Sequence, residues 1–306
     1  MKPANYLFSL IASLAIAFAA VAQNQSGVDS TGLPGDNFSL QGALALFQKA
    51  STPEDFEKML NSEDNHVNNL DLNGDGDIDY IRVIDNTEKG THALVLQALV
   101  SGTESQDIAV IEFEKTGDTT AVLQIVGDED IYGEQVIVEP ANGDDVDNAF
   151  IDNENSAIAI HGPGVEYGHY MPRFVVNVWF WPSIRFMYAP LYRPWISPWG
   201  WRRYPGWWRP WKPFAWYIWH PFHRPYYAHC TVVHTRRVVY AQRIYRPLRV
   251  SSVTVRTRHA SVVGNYRVTR TKTNITGPRG HRAVKTRTTI SGPRGNSRTH
   301  TNARRR

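Results

Sequence analysis

The first regular pattern along the chain is a pair of short amphipathic helices. Ser39 can cap the first helix, and the apolar residues between 43 and 47 fall on one of its faces. Thr52 can cap the second helix, with Pro53 at its first position and acidic residues in its first turn. The apolar residues between 56 and 60 also share one face. We therefore expect two helices that each bury one side.

After residue 76 the apolar spacing changes from a helical period to a period of two. Five segments have the length and alternation of strands, and turn residues separate them. Because the connections are short, successive strands are expected to form an antiparallel meander, with polar residues such as Glu112 and Gln124 on the face away from the helices. The predicted strands are 77–85, 93–100, 108–115, 120–126 and 135–139. The predicted fold class is α+β: two N-terminal helices on an antiparallel β-meander, followed by a largely irregular or disordered basic C-terminal half.

Charge divides the chain into two halves of opposite sign. All 29 Asp and Glu residues lie between Asp29 and Glu166, whereas 27 of the 33 Lys and Arg residues follow Tyr167. The formal net charge of +4 conceals this division. Such segregation predicts two modules of different character. The acidic module is expected at residues 38–141, after a linker at 23–37 and before an acidic linker at 142–170.

Residues 1–22 have the features of a secretory signal peptide. Lys2 gives a positive start, an apolar stretch follows, and Ala20 and Ala22 form a small-residue cleavage site. The chain is therefore expected to be exported to the periplasm, to the outer surface or to the medium. Its single cysteine, Cys230, excludes an internal disulfide bond.

Residues 171–229 are rich in tryptophan, proline and arginine. All 10 Trp residues lie between Trp179 and Trp219. Proline and arginine interrupt the best apolar stretch, 174–191, so any membrane contact is expected to be peripheral rather than transmembrane. Two interpretations remain open: the segment binds an external anionic surface, such as envelope lipid or glycan, or it packs on the acidic module. The residues expected to contact an anionic surface are Arg202, Arg203, Trp207, Trp208, Arg209, Trp211 and Lys212.

Residues 230–306 form a basic tail rich in Thr, Arg and Val, with a loose strand-like alternation. Its last part contains two related segments, each ending in Gly-Pro-Arg-Gly, with a period of 15 residues. Two copies with few apolar residues cannot build a core, so a flexible cationic tail is expected. Several His residues lie near the start of this tail, but their spacing matches no tetrahedral zinc pattern, and we interpret them as incidental. Together with Cys230, they are His220, His223, His229 and His234.

The stretch 71–79, Asp-Leu-Asn-Gly-Asp-Gly-Asp-Ile-Asp, contains the clearest candidate chemistry. Side-chain oxygens fall at loop positions 1, 3, 5 and 9, and Ca²⁺ takes roughly six to eight oxygen ligands. Gly76 permits a sharp turn, and Ile78 is expected to anchor the loop in a core. The alternative is an Asp/Asn/Gly turn that caps a strand and binds nothing. The candidate metal ligands are Asp71, Asn73, Asp75, Asp77 and Asp79.

This stretch resembles the calcium loops of EF-hand proteins and the related loops of dockerin-like modules. The resemblance implies that the side chains at positions 1, 3 and 5 bind the ion, together with the carbonyl of Asp77 and, directly or through water, Asp79. At position 12 the chain has Arg82 where the family has a bidentate Glu, so weak Ca²⁺ binding is expected. The β-branched and aromatic residues after the loop predict a strand instead of an exiting helix.

No catalytic motif accompanies these features. The chain contains no Gly-x-Ser-x-Gly, His-Glu-x-x-His or phosphate-binding glycine loop, so an enzyme is not expected. As a whole, it resembles secreted bacterial proteins that join an acidic calcium-loop domain to a Trp- and Pro-rich basic region. We expect an exported, non-enzymatic calcium-binding protein of the cell envelope whose basic aromatic half contacts anionic surfaces.

The alternative is a polyanion- or membrane-binding protein with a purely structural loop. In that case the acidic module is an intramolecular partner of the basic half. Export favours lipid headgroups or acidic glycans over nucleic acid as the polyanion.

Overall fold

The computed structural model of the protein describes residues 30–141, 175–233, 235–265, 267–276, 282–291 and 297–305. The predicted signal peptide, the predicted acidic linker at 142–170 and both Gly-Pro-Arg-Gly motifs lie outside the described residues. None of the helices in the described ranges has the length and apolar character needed to cross a membrane.

Two helices form where the capping residues predict them. α1 spans Leu40–Lys49, and the Ser39 hydroxyl accepts a hydrogen bond from a first-turn N–H at 3.0 Å. α2 spans Pro53–Leu60, and the Thr52 hydroxyl accepts a similar bond at 3.0 Å. Each cap satisfies an N–H that has no partner within its helix. Further helices are α3 Glu129–Tyr132, α4 Pro182–Met187, α5 Trp216–Trp219, α6 Arg224–Tyr227, α7 Val239–Tyr245 and α8 Val253–Asn265.

Five strands form an antiparallel meander in which each strand pairs with the next along the chain. A sixth strand, contributed by the basic half, pairs antiparallel with the fifth. The strands are β1 Ile81–Glu88, β2 Thr91–Leu99, β3 Ser105–Gly117, β4 Thr120–Gly127, β5 Val136–Pro140 and β6 Cys230–Val233. This architecture confirms the predicted α+β fold class.

The basic half covers both edges of the five-stranded meander. At one edge, β6 supplies ladder hydrogen bonds to β5. At the other edge, the Asp85 N–H donates to the Trp195 carbonyl at 2.7 Å. The Ser197 N–H donates to the Val83 carbonyl at 3.1 Å. A bare strand edge exposes unpaired N–H and C=O groups to other chains, so both contacts protect the sheet.

Residues of both halves share one hydrophobic core. α1 and α2 contribute their apolar faces to a cluster that also contains the sheet residues facing them. The Ser183 hydroxyl of α4 donates a hydrogen bond to the carbonyl of Phe47 at 2.9 Å, which ties α4 to α1. Of the two interpretations of the basic half, packing on the acidic module is therefore the one that fits the described residues between 175 and 255. The buried side chains that this half adds to the core are Val178, Trp181, Ile184, Met187 and Val255.

The second face of the sheet, marked as polar by the sequence, is also an interior face. Glu112 and Gln124 are fully buried. Arg236 forms an ion pair with Glu112, and Arg237 pairs with Glu139 at 2.7 Å between Nε and Oε1. The Arg237 N–H donates to Gln124 Oε1 at 2.7 Å. The basic half supplies partners for most of these buried polar atoms, which lowers the cost of their burial, but Glu112 Oε2 has no hydrogen-bond partner among the described residues.

The end of the predicted N-terminal linker is packed. Leu33 is buried, and Asp36 accepts hydrogen bonds from the hydroxyls of Ser30 at 2.5 Å and Thr31 at 2.9 Å. The indole N–H of Trp219 donates to the Asp36 carbonyl at 3.1 Å. Residues 30–37 therefore belong to the folded unit because short polar side chains satisfy a buried carboxylate there.

The strand-like alternation of the tail corresponds to a second antiparallel sheet. Its backbone has three strands in the order β7-β8-β9. The alternation of β-branched residues with longer polar ones is the local signal for this structure. The strands are β7 Arg267–Thr276, β8 Arg282–Ser291 and β9 Ser297–Arg305.

Replacing Arg236 with Ala should destabilise the protein strongly, because it leaves the Glu112 carboxylate buried without its cation. We expect a loss of roughly 3–5 kcal/mol in the free energy of unfolding. Glu112→Leu combined with Arg236→Leu removes both charges and should cost much less. Burial raises the pKa of Glu112 to about 7 even beside Arg236. Urea unfolding at pH 8, where Glu112 is ionised, is the appropriate measurement. An equal loss in Arg243→Ala, an exposed position on α7, would contradict the assignment.

Candidate calcium loop and the tryptophan segment over it

Residues 71–79 form a tight loop before β1. Gly74 and Gly76 have φ angles of +71° and +82°, a region that residues with a Cβ rarely adopt. A Cβ at Gly74 would also collide with the guanidinium of Arg258. Ile78 is buried, as expected for the residue that anchors the loop. The glycine positions are therefore required by the turn itself, and a cation of the basic half lies against it.

Asp71 fixes the start of the loop through three backbone N–H groups. Its carboxylate accepts hydrogen bonds from Gly74 at 2.7 Å, Asp75 at 3.1 Å and Gly76 at 2.9 Å. Asn73 Oδ1 accepts a further bond from the Asp75 N–H at 2.8 Å. Side-chain oxygens that accept from nearby backbone groups are typical of Asp/Asn turns. These contacts alone do not require an ion.

Asp79 is the buried carboxylate of the loop. It is only 4% exposed and accepts a hydrogen bond from the Leu72 N–H at 2.6 Å. Burial, reinforced by the carboxylates of Asp71 and Asp75, raises the pKa of Asp79 to about 8. A carboxylate in this environment is stabilised by any cation that reaches it.

Three oxygen atoms converge on the side-chain amide nitrogen of Asn73. Asp75 Oδ2 lies 3.1 Å from this nitrogen, the Val100 carbonyl oxygen 3.3 Å and Asp79 Oδ1 3.4 Å. An amide nitrogen has two protons to donate, so three acceptors exceed its capacity. The described residues nevertheless contain no group of three or more His, Cys, Asp or Glu side chains arranged to hold a metal ion. The convergence of oxygens is the one feature that a simple strand-capping turn does not require.

The Trp- and Pro-rich segment covers the loop. The Ile78 N–H donates to the Trp211 carbonyl at 2.9 Å. Next to it, Lys212 Nζ lies 2.7 Å from Asp77 Oδ1. Both side chains of this ion pair are well exposed, so it adds little stability by itself. It does place a second cation of the basic half on the loop. The charge segregation predicts attraction between the halves but not this particular contact.

The residues expected to contact an anionic surface divide into two groups. Trp208 is buried against Tyr80, with ring centroids 5.1 Å apart, and Trp211 is half-buried in the same cluster. Trp208 and Trp211 face the protein because the segment folds inward onto the loop. Lys212 also contacts the acidic half, through Asp77, but its side chain stays exposed. The second group is exposed: Arg202, Arg203, Trp207 and Arg209.

Glu57 links α2 to β1 and to the Trp segment, and sequence reasoning missed it. Its Oε1 accepts from the hydroxyls of Tyr80 at 2.7 Å and Ser197 at 2.8 Å. Its Oε2 accepts from the Val83 N–H at 2.8 Å and the indole N–H of Trp195 at 3.3 Å. Burial raises the pKa of Glu57, and these donors oppose the rise. Glu57 lies three positions before Leu60, the last apolar residue of α2, and this helical spacing is the single sequence feature that indicates its burial.

Two of the His residues considered as zinc ligands are core residues. His220 and His223 are buried, with ring centroids 6.2 Å apart. His229 is exposed, and His234 lies outside the described residues. Burial, helped by the nearby His220 and His66, lowers the pKa of His223 to about 3. His223 is therefore a neutral packing residue at ordinary pH.

Comparison with known proteins finds no family model, no curated protein and no solved structure that matches this chain.

The buried His223 should make stability depend on pH. Its pKa is about 3 in the folded protein and 6.5 in its ordinary state, so the unfolded chain binds more protons between these values. The stability due to neutral His223 is therefore present above pH 6.5 and is lost as pH falls toward 3. His223→Gln should flatten this fall by up to about 1.4 kcal/mol per pH unit, as measured by urea unfolding across the range. Exposed His229→Gln should keep the wild-type slope, and an unchanged slope in His223→Gln would refute the assignment.

Proposed function

We propose that this chain is an exported, non-enzymatic calcium-binding protein of the cell envelope, with the ion bound weakly at residues 71–79. The convergence of three oxygens on the Asn73 amide, beside the buried Asp79, carries the proposal. Rotation of the Asn73 amide would replace the nitrogen with an oxygen at the cost of the bond that Oδ1 accepts from the Asp75 N–H. All four atoms would then suit a hard cation. The signal-peptide pattern of residues 1–22 supports export.

Of the ligands that the resemblance implies, Asn73, Asp75 and Asp79 converge, whereas the Asp71 carboxylate accepts from three backbone N–H groups and is not among the converging oxygens. Asp77 is expected to use its carbonyl, which leaves its carboxylate to Lys212. The Val100 carbonyl is a neutral oxygen close to Asn73, and in this proposal it takes the place of the acidic ligand that the loop family has at position 12. A neutral ligand in place of a bidentate carboxylate lowers affinity, because it contributes fewer oxygens and no charge.

Calcium bound here should stabilise the contact between the two halves of the chain. The loop contacts the basic half through the Trp211 carbonyl and Lys212, and Trp208 packs on the strand entry at Tyr80. An ion that orders the loop therefore also orders its cover. Tryptophan fluorescence should report the binding for this reason.

Titration calorimetry of Ca²⁺ into the full-length chain tests the site. We expect a Kd on the order of 10⁻⁴–10⁻³ M, as for extracellular calcium modules, and a rise in Tm by mass action. Asp75→Ala should remove both effects. Asp118→Ala, in the exposed β3–β4 turn, is the matched control and should leave them intact. If roughly 10 mM Ca²⁺, well above that Kd range, leaves the melting curve unchanged, the loop is only structural.

The two cations on the loop provide a second arm of this experiment. Arg258 lies against Gly74 and Lys212 pairs with Asp77, so both lower the negative potential that attracts Ca²⁺. Arg258→Ala should therefore tighten Ca²⁺ binding by about two- to fivefold, the scale of an exposed charge interaction. Arg256→Ala, an exposed change on the same helix, should have a smaller effect.

Exposed apolar residues next to cations favour a second candidate function, peripheral contact with anionic lipid or glycan. Leu191 is 93% exposed in the turn after α4, and Phe186 is 44% exposed beside it. Arg185 and Arg193 flank them and are exposed, and the chain has no acidic residue after Glu166. Exposed apolar side chains flanked by cations favour binding at the boundary between lipid headgroups and acyl chains. This turn replaces the inward-facing Trp208 and Trp211 as the apolar part of the contact surface.

Vesicle cosedimentation tests this contact with the full-length chain. Binding should require anionic lipid, weaken with salt through screening and retain a salt-resistant apolar part. Leu191→Ser should lower the salt-resistant part, whereas Leu248→Ser, 53% exposed elsewhere, should not. Equal binding to neutral and anionic vesicles would remove the electrostatic part of the proposal.

A further inference from the structure

A cavity of about 260 Å³ lies between the start of α2 and the Trp segment, and no residue of 71–79 lines it. The indoles of Trp199 and Trp207 line it from the basic half. Its size approaches the lower end of small-molecule pockets, roughly 300 Å³. The side chains from the acidic half that line it are Thr52, Glu54, Asp55, Glu57 and Lys58.

The lining of the cavity is negatively charged. It contains three carboxylates and one ammonium group. Glu57 is occupied by four hydrogen-bond donors at the base. Glu54 is exposed and Asp55 partly exposed at the rim, where their charge attracts cations and repels anions. The electrostatics therefore favour a cationic occupant.

An ammonium group already lies at one of the aromatic walls. Lys58 Nζ is 5.8 Å from the centroid of the Trp207 ring, within cation–π distance. Trp207 is 47% exposed, so a ligand can reach its ring from solution. The ring is thus accessible and lies in a field that holds a cation near its face.

We propose that this cavity binds a quaternary ammonium group, as a free small molecule or as a phosphocholine headgroup. Such a group has no N–H donors and needs no hydrogen-bond acceptors in its walls, which matches two indoles. Its charge is stabilised by the indole faces and by the carboxylates of Glu54 and Asp55. The proposal does not require calcium at residues 71–79, because no residue of that loop lines the cavity.

Titration of choline into the full-length chain, followed by calorimetry and tryptophan fluorescence, tests the proposal. The uncharged analogue in which carbon replaces nitrogen should bind at least about tenfold more weakly, because it lacks the cation–π attraction. Trp207→Ala should abolish choline binding, and Tyr217→Ala, an exposed aromatic elsewhere, should not change it. Lys58→Met should tighten binding severalfold because it removes the competing ammonium.

Two results would overturn the site. One is equal affinity for choline and the uncharged analogue. The other is choline binding that neither Trp207→Ala nor Lys58→Met alters. A neutral methyl glycoside that binds in place of choline, and loses its binding in Trp207→Ala, would assign the cavity to sugar instead. If the chain cosediments with phosphatidylcholine vesicles and free choline prevents this, the ligand is the phosphocholine headgroup. Choline binding without vesicle binding would identify a free ligand.

Discussion

The fold depends on the pairing of an acidic sheet with a basic chain that surrounds it. A five-stranded meander has two bare edges, and this one also has a polar face with buried carboxylates. β6 covers one edge, residues 195–197 cover the other, and the segment around α7 covers the polar face. The halves that the division of charge first indicates as separate modules are therefore joined by backbone pairing at both edges and by ion pairs on the polar face.

Charge pairing also fixes the register of this association. Arg236 and Arg237 are neighbours in the chain but pair with Glu112 and Glu139, which lie on different strands. Further along, Arg249 lies 2.6 Å from Asp128. Buried carboxylates are costly to desolvate, and a shift of the basic segment by one residue would leave them unpaired. Hydrophobic burial supplies the attraction, whereas these pairs select one arrangement.

Local signals were sufficient to predict the acidic module. The caps at Ser39 and Thr52 lie next to the helices they begin, and strand alternation is visible within a few residues. The order of side-chain oxygens in residues 71–79 and the turn at Gly76 were equally local. These features need no information from distant parts of the chain.

The contacts between the halves could not be predicted in this way. The sequence of Cys230–Val233 does not differ in pattern from the rest of the tail, so its pairing with β5 could not be predicted. From the sequence, Glu57 resembles an exposed helix residue, because its donors Trp195 and Ser197 are far away along the chain. The same holds for the loop, whose oxygens were predicted but whose cover by Trp211 and Lys212 was not. Contacts between residues that are ninety or more positions apart leave little trace in local spacing.

The covering segments all follow the elements that they cover, which sets an order of events during synthesis. Arg236 comes 124 positions after Glu112, a delay on the order of ten seconds at ribosomal speed. During that interval the meander has both edges bare, and nascent chains could join edge to edge. Its high density of negative charge makes such chains repel one another. The same carboxylates thus keep unfinished molecules apart and later hold the finished molecule together.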